Sequence, residues 1–176
     1  DWYAILFEDA VDAMFLAEAD TGLIIMANKA AERLTGKDRQ ELVGLHQAQL
    51  HPASSHNISR EHFTRRLEGF KNSPTPPPEK NTILRADGQE IPVEIHARPI
   101  KHEGRDCILG VFRDLAGTIE AETAIRESEE RFRVMFENAQ DIMFFHELIS
   151  EDSRGFFIDV NRLAIDCLGY SLAEFR

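Results

Sequence analysis

The stretch Ile91-Pro92-Val93-Glu94-Ile95-His96-Ala97-Arg98 sets Ile91, Val93, Ile95 and Ala97 in strict alternation with Pro92, Glu94, His96 and Arg98. A period of two is the mark of a strand with one face buried and the other toward water. Pro92 has no amide hydrogen to give to a neighbouring strand, so an edge or a bulge is expected there. Just upstream, Asn81–Arg85 is joined to Glu90–Pro99 by Ala86-Asp87-Gly88-Gln89, and Asp-Gly between strand-like runs is a hairpin signal. Downstream, Cys107–Phe112 is a nearly continuous apolar run after a turn at Glu103-Gly104-Arg105, which makes a third strand.

The sequence before this trio changes period. Lys71–Glu79 holds four of the seven prolines and reads as a loop. In Ser59–Phe70 the residues Phe63, Leu67 and Phe70 step by four and three, one face of a helix. Asp38–Leu42 is a helical turn ahead of Gly44, and Lys29–Leu34 a helix with Asn28 as N-cap and Gly36 as its stop. Met14–Glu18 and Leu23–Ala27 flank Asp20-Thr21-Gly22, a second hairpin, and Tyr3–Glu8 is a short amphipathic helix. The order is two strands, three helical segments and three strands. This predicts an α+β fold, an antiparallel sheet with its helices inserted together on one side.

Part of this pattern occurs twice. Phe7-Glu8-Asp9-Ala10 and Asp12-Ala13-Met14-Phe15 recur as Phe136-Glu137-Asn138-Ala139 and Asp141-Ile142-Met143-Phe144. Asn28-Lys29-Ala30-Ala31 through Leu34-Thr35-Gly36 recurs as Asn161-Arg162-Leu163-Ala164 through Cys167-Leu168-Gly169. The offset grows by four residues within Glu147–Gly155, where a longer turn replaces Asp20-Thr21-Gly22. Insertions collect in loops, so both copies share one strand–turn–strand–helix unit. We expect a complete domain over 1–115, a helical linker over 116–135 and the N-terminal part of a second domain over 136–176.

The linker has its own period. Thr118, Ala121, Ile125, Ser128, Phe132 and Met135 step by three and four alternately, a heptad seam weakened by its Thr and Ser. Two arrangements suit it: a parallel helix pair between two chains, making a homodimer, or one amphipathic helix lying on its own domain's sheet.

Composition narrows the function. The net charge is −11, while the middle of the chain, residues 46–113, is mildly basic and carries six of the seven histidines. An acidic protein without a basic face is not expected to bind nucleic acid. Cys107 and Cys167 are the only cysteines, too few for a disulfide or zinc framework, and a reducing compartment is expected. The chain opens at Asp1 and reads as a piece of a longer protein. The expected location is the cytoplasm, either free or as the cytoplasmic part of a membrane-anchored protein.

Four groups of residues, taken in order, resemble a known family. They are Phe7-Glu8-Asp9-Ala10; Ile25-Met26-Ala27-Asn28-Lys29-Ala30-Ala31 with Leu34-Thr35-Gly36; Arg85-Ala86-Asp87-Gly88-Gln89-Glu90-Ile91-Pro92-Val93-Glu94; and Val111-Phe112-Arg113-Asp114-Leu115. In order and spacing they are similar to a PAS domain with its C-terminal PAC portion. Glu127-Ser128-Glu129-Glu130-Arg131-Phe132-Arg133 resembles the helix that joins tandem PAS domains in bacterial sensor proteins. The resemblance implies a five-stranded antiparallel sheet with helices on one face, a pocket for a small ligand or cofactor, dimerisation, and a signal passed along the exit helix. It also implies that Arg113, Asp114 and Leu115 form the junction of sheet and helix, with Asp114 often paired to a basic side chain. Ala116 stands where Thr or Ser is usual, so a hydroxyl cap is missing there.

The chemistry to be sensed is less marked. Candidate pocket residues are Phe15, Ile25, Leu34, Phe63, Leu67, Ile83, Ile95, Leu109 and Val111; ordinary core packing explains them as well. The cofactor stays unknown. Residues 36–58 hold no cysteine, so flavin–cysteine photochemistry is not expected, and Cys107 reads as a buried small hydrophobe. A haem-type gas sensor would use His62 or His56 as axial ligand, although solvated histidines explain both. His46, His51 and His56 recur every five residues, which turns each roughly 140° from the last on a helix, so no zinc site is expected. No phosphate-cradling glycine loop or nucleophile elbow is present. The expected function is therefore regulatory rather than catalytic, with the output, most commonly a sensor histidine kinase of a two-component system, in the same full-length protein. Rival readings are a ligand-free dimerisation module and the PAS region of a cyclic-di-nucleotide enzyme or a transcription regulator.

Overall fold

The computed structural model describes residues 2–55, 77–148 and 155–175. It divides into two compact units, Asp1–Thr118 and Ile119–Arg176. The first begins with helix α1 (Trp2–Glu8) and strands β1 (Ala13–Glu18) and β2 (Ile24–Ala27). Helices α2 (Lys29–Thr35) and α3 (Arg39–Leu42) and two single 3₁₀ turns, Gln47–Leu50 and Ala53–Ser55, follow. Strands β3 (Glu79–Leu84), β4 (Glu90–His102) and β5 (Arg105–Asp114) complete it. The five strands form one antiparallel sheet in the order β2-β1-β5-β4-β3. The expected helix Ser59–Phe70, with Phe63 and Leu67, and the ligand alternatives His56 and His62 lie outside the described residues.

Local chemistry accounts for the boundaries. Asn28 takes extended backbone and its side chain accepts from the Ala31 amide, starting α2; Gly36 ends it at φ 65°, the left-handed region where a Cβ is costly. Asp38 precedes α3, its amide donating to the Glu41 carboxylate at 2.8 Å. Pro92 is accommodated by register. It lies opposite Thr82 of β3, while pairing with β5 begins only at Val93 with Asp114. Its carbonyl accepts from the Leu115 amide at 2.9 Å, so its hydrogen-free nitrogen faces the side where β5 has just ended, and only the last reciprocal bond of the ladder, to the Leu115 carbonyl, is forgone.

The helices cover one face of the sheet. The core joins Ala13 and Phe15 of β1, Ile24 and Ala27 of β2, Ile83 of β3, Ile91, Val93 and Ile95 of β4 and Phe112 of β5 to Ala30, Ala31 and Leu34 of α2 and Leu42 of α3. Three expected pocket residues fall elsewhere. Phe15 lies opposite Gly110 and Ala13 opposite Phe112, so the inner positions of β5 are 108, 110 and 112. Leu109 and Val111 therefore occupy the other face, opposite Leu16 and Met14 on one side and Arg98 and His96 on the other. Both faces of β5 are apolar, so alternation cannot reveal its inward parity. Ile25 is displaced by a bulge: Leu16 pairs with Met26 and Ala17 with Ile24, which puts Ile24 in the core and leaves Ile25 half-buried.

The long helix α4 (Ala116–Glu137) starts at the end of the first unit, and in the second it leads to a two-stranded sheet of β6 (Phe144–Leu148) and β7 (Gly155–Val160). Short helices α5 (Arg162–Leu168) and α6 (Leu172–Phe175) follow. Asn161 caps α5 as Asn28 caps α2, and Gly169 ends it at φ 74° as Gly36 does. The strand–turn–strand–helix unit is thus present twice. The second copy leaves Phe144 and Ile158 43% and 51% exposed.

Each capping asparagine also holds its unit together. Asn28 Oδ1 accepts from Met14 and Ala31 amides, and Nδ2 donates to the carbonyls of Phe7 and Asp12, all between 2.9 and 3.1 Å. Asn161 repeats three of these bonds, with Met143, Ala164 and Asp141. Asn28→Ala is expected to destabilise the first unit by about 3 kcal/mol, because several buried backbone groups lose their partner together. Asn161→Ala should cost the second unit less. Urea unfolding of both variants, followed by amide exchange at Ala31 and Ala164, checks this; an unchanged first unit in Asn28→Ala would refute it.

Candidate functional site

The inner face of the first unit carries an aromatic wall. The Phe15 and Phe112 rings meet edge to face with centroids 4.9 Å apart, and the His51 ring stacks on Phe112 at 6.4 Å. Gly110 makes this packing possible, since a Cβ there would stand 2.8 Å from Phe112 Cε2. His51 is buried, and its Nδ1–H donates to the Thr82 carbonyl at 2.7 Å, which ties the 3₁₀ turn Gln47–Leu50 to β3. Ile83 and Ile95 continue the wall along β3 and β4, and Leu34 faces it from α2. Of the expected pocket residues, Phe15, Leu34, Ile83 and Ile95 are therefore together. The polar member, His51, had no signal in the sequence beyond a five-residue spacing with no helical meaning. His46 Nδ1 accepts from the Ala48 amide, and its ring lies over Gly22 in the β1–β2 turn. Among the described residues no cluster of three or more His, Cys, Asp or Glu could hold a metal ion.

A second feature sits where the sheet ends. Arg113 and Asp114 are the last residues of β5, and Leu115 extends the ladder by its bond to Pro92. Asp114 Oδ1 accepts from the Ala116 amide at 2.8 Å, so this carboxylate supplies the cap at the start of α4 where a hydroxyl at Ala116 is missing. Among the described residues Asp114 makes no ion pair; the basic partner at this junction, Arg113, instead meets Asp12 at 3.4 Å, ahead of β1. The first unit also has an open cleft of about 460 Å³ at the end of the β4–β5 hairpin, lined by Pro99, Ile100, Lys101, Asp106 and Cys107 with Ala19 and Asp20. Cys107 is 1% exposed and burial pushes its thiol pKa up, which makes it a small hydrophobe rather than a nucleophile.

The seam residues Thr118, Ala121, Ile125, Ser128, Phe132 and Met135 all lie on α4 and are exposed in the single chain. Phe132 differs from the rest, because its ring packs on Phe136 and Phe145 at centroid distances of 5.7 and 5.5 Å. Among the described residues no helix is long and apolar enough to cross a membrane.

Asp114→Ala should remove the cap from α4 at a cost of about 1 kcal/mol. Amide exchange at Ala116 is expected to accelerate in Asp114→Ala and to return toward the original rate in Asp114→Asn. Equal exchange in all three proteins would refute the capping role.

Comparison with known proteins gives this arrangement a family. The sequence profile of the PAS domain matches residues 11–116, more than half of the chain, and a second PAS domain profile matches residues 130–176. The methyl sulfide methyltransferase-associated sensor of Methanosarcina acetivorans is 39% identical over 56 residues, which are 32% of this chain and 5% of that protein. The chain thus spans a small part of that relative. The PAS domain of an HTR-like protein from Haloarcula marismortui superposes with a TM-score of 0.54 at 25% identity, covering 64% of this chain and 94% of the other. A PAS domain from Colwellia psychrerythraea gives a TM-score of 0.55 at 26% identity, covering 64% and 93%. A domain of a sensory box sensor histidine kinase/response regulator from Geobacter sulfurreducens gives 0.51 at 26%, covering 64% and 91%. With the antiparallel five-stranded sheet, the helices on its inner face and the long helix after its last strand, these matches place the chain in the PAS domain family.

Proposed function

We propose that this chain is a sensory and regulatory module. In this reading residues 1–115 receive a small ligand or a partner, residues 116–135 carry the signal, and residues 136–176 begin a second PAS unit. The output is a further domain of the same protein, most simply a sensor histidine kinase, and the module itself performs no catalysis. The observation that carries the proposal is the bond from the Ala116 amide to Asp114 Oδ1. It joins the last residue of β5 to the first turn of a 22-residue helix. Phe112, two residues earlier on the same strand, forms part of the interior wall. A change in the packing of Phe112 therefore reaches α4 through two residues of extended backbone and one charged cap. Rigid elements joined in this way can pass on a shift between two discrete packings. The sensor names of the Methanosarcina and Geobacter relatives agree with this reading.

The interior wall suits an apolar or aromatic small molecule, since it is built from Phe15, Phe112, Ile83 and Ile95 with His51 as its polar edge. The ligand-sensing role predicts that the purified protein retains a small molecule in native mass spectrometry, or gains thermal stability from members of a metabolite panel. A chain that carries nothing and shifts with nothing would leave it a dimerisation module. For the helix, the exposed seam at Thr118, Ala121 and Ile125 predicts a homodimer with two α4 helices side by side. Ile125→Glu would put two like charges into that seam and should lower the dimer fraction in sedimentation velocity; an unchanged fraction would refute the pairing.

A further inference from the structure

At the edge of the aromatic wall, sharing Phe112 and Leu34 with it, the first unit has a hollow of about 310 Å³ whose rim carries Arg33, Arg85, Arg113, Asp12 and Asp114. Its floor is apolar and includes Leu34 and Phe112, which are 8% and 7% exposed. The three guanidinium groups come from separate elements, α2, the β3–β4 turn and the end of β5, so the fold rather than a local charge run brings them together.

Their partners are unevenly satisfied. Arg113 meets Asp12 at 3.4 Å, and Asp114 is engaged by the Ala116 amide. Arg33 makes no ion pair among the described residues, and its backbone carbonyl is met by Arg85 Nη1 at 3.5 Å. Arg85 Nε is buried and, among the described residues, makes no hydrogen bond, its carboxylate neighbour Asp87 Oδ2 standing 3.4 Å away. Arg33 is therefore the guanidinium free to take an added acceptor in the hollow without giving up an existing ion pair.

We propose that this hollow is a ligand site for a small organic monocarboxylate with an apolar body, held over the Phe112 end of the wall rather than against Phe15 and Ile83. Arginine forks match the planar geometry of a carboxylate, and the apolar floor suits a ring or a short chain. With Arg113 paired to Asp12, Arg85 paired to Asp87 and Asp114 held by the Ala116 amide, Arg33 is the one guanidinium of the three without an ion pair among the described residues. One such cation suits a monoanion, while a phosphate dianion would face Asp12 and Asp114 with its excess charge. The position also gives binding a consequence. A carboxylate that engages Arg113 competes with Asp12, and so loosens the tie between the chain ahead of β1 and the end of β5.

The test uses the full chain and titration calorimetry with benzoate, its uncharged counterpart benzyl alcohol, and inorganic phosphate. Benzoate is expected to bind about tenfold or more tightly than either of the others, the scale of one charge-assisted hydrogen bond. Arg33→Gln should weaken benzoate by a similar factor without moving the melting temperature, since that side chain makes no ion pair among the described residues. Amide shifts should move at Ala30, Leu34 and Arg113 on adding benzoate. No heat with benzoate, equal binding of benzyl alcohol, tighter binding of phosphate, or shifts confined to Phe15 and Ile83 would each overturn the proposal. These outcomes are distinguishable from the interior-ligand reading, which stands or falls on what is held against Phe15 and Ile83.

Discussion

One side chain makes the first unit a single object. Asn28 is fully buried, and both lone pairs of its oxygen and both hydrogens of its nitrogen are used within the fold. Those bonds join the end of α1, the residue before β1, β1 itself and the first turn of α2. A buried amide is stabilising only when every position is satisfied, because any orphaned group keeps the full cost of leaving water. Asn28 meets that condition and satisfies backbone groups that a helix start and a strand edge would otherwise leave open. Asn161 performs the same service in the second unit, where the chain arriving ahead of β6 comes from the end of α4.

With that corner pinned, β5 decides the rest. Its inner residues build the core, where Phe112 fits only because Gly110 has no side chain. Its last residue caps α4, and Arg113 between them pairs with Asp12. Interior, junction and helix thus meet within three consecutive positions of one strand. The hollow rimmed by three arginines adjoins the same three positions, so any anion held there would act on the junction directly.

Much of this is legible in the chain because it is local. The Asn-x-x-Ala caps, the glycine stops at Gly36 and Gly169, and the hairpin at Asp87-Gly88 all depend on residues within one turn of each other. The alternation of Ile91, Val93, Ile95 and Ala97 marks the inner face of β4 for the same reason, and all four are buried. Leu109, Val111 and Ile25 go the other way. In Cys107–Phe112 both faces are apolar, so only the register against Phe15 and Ala13 selects the inward set, and in β2 a one-residue bulge reverses the parity. Phe132 shows a similar limit, since a heptad position and a ring packed on Phe136 and Phe145 are the same letter in the same place.

The amino-acid sequence alone determines the two copies of the strand–turn–strand–helix unit, the three-strand run that follows the first copy, and a helix over 116–135. Period, caps and turns are properties of neighbours along the chain. Tertiary structure alone decides which face of β5 is inside, that His51 stacks on Phe112 and bonds to Thr82, and that Asp114 caps the helix while Arg113 turns to Asp12. It also gathers Arg33, Arg85 and Arg113 around one hollow. Each of these is a contact between residues far apart in sequence, and such contacts exist only once strand pairing has set their register.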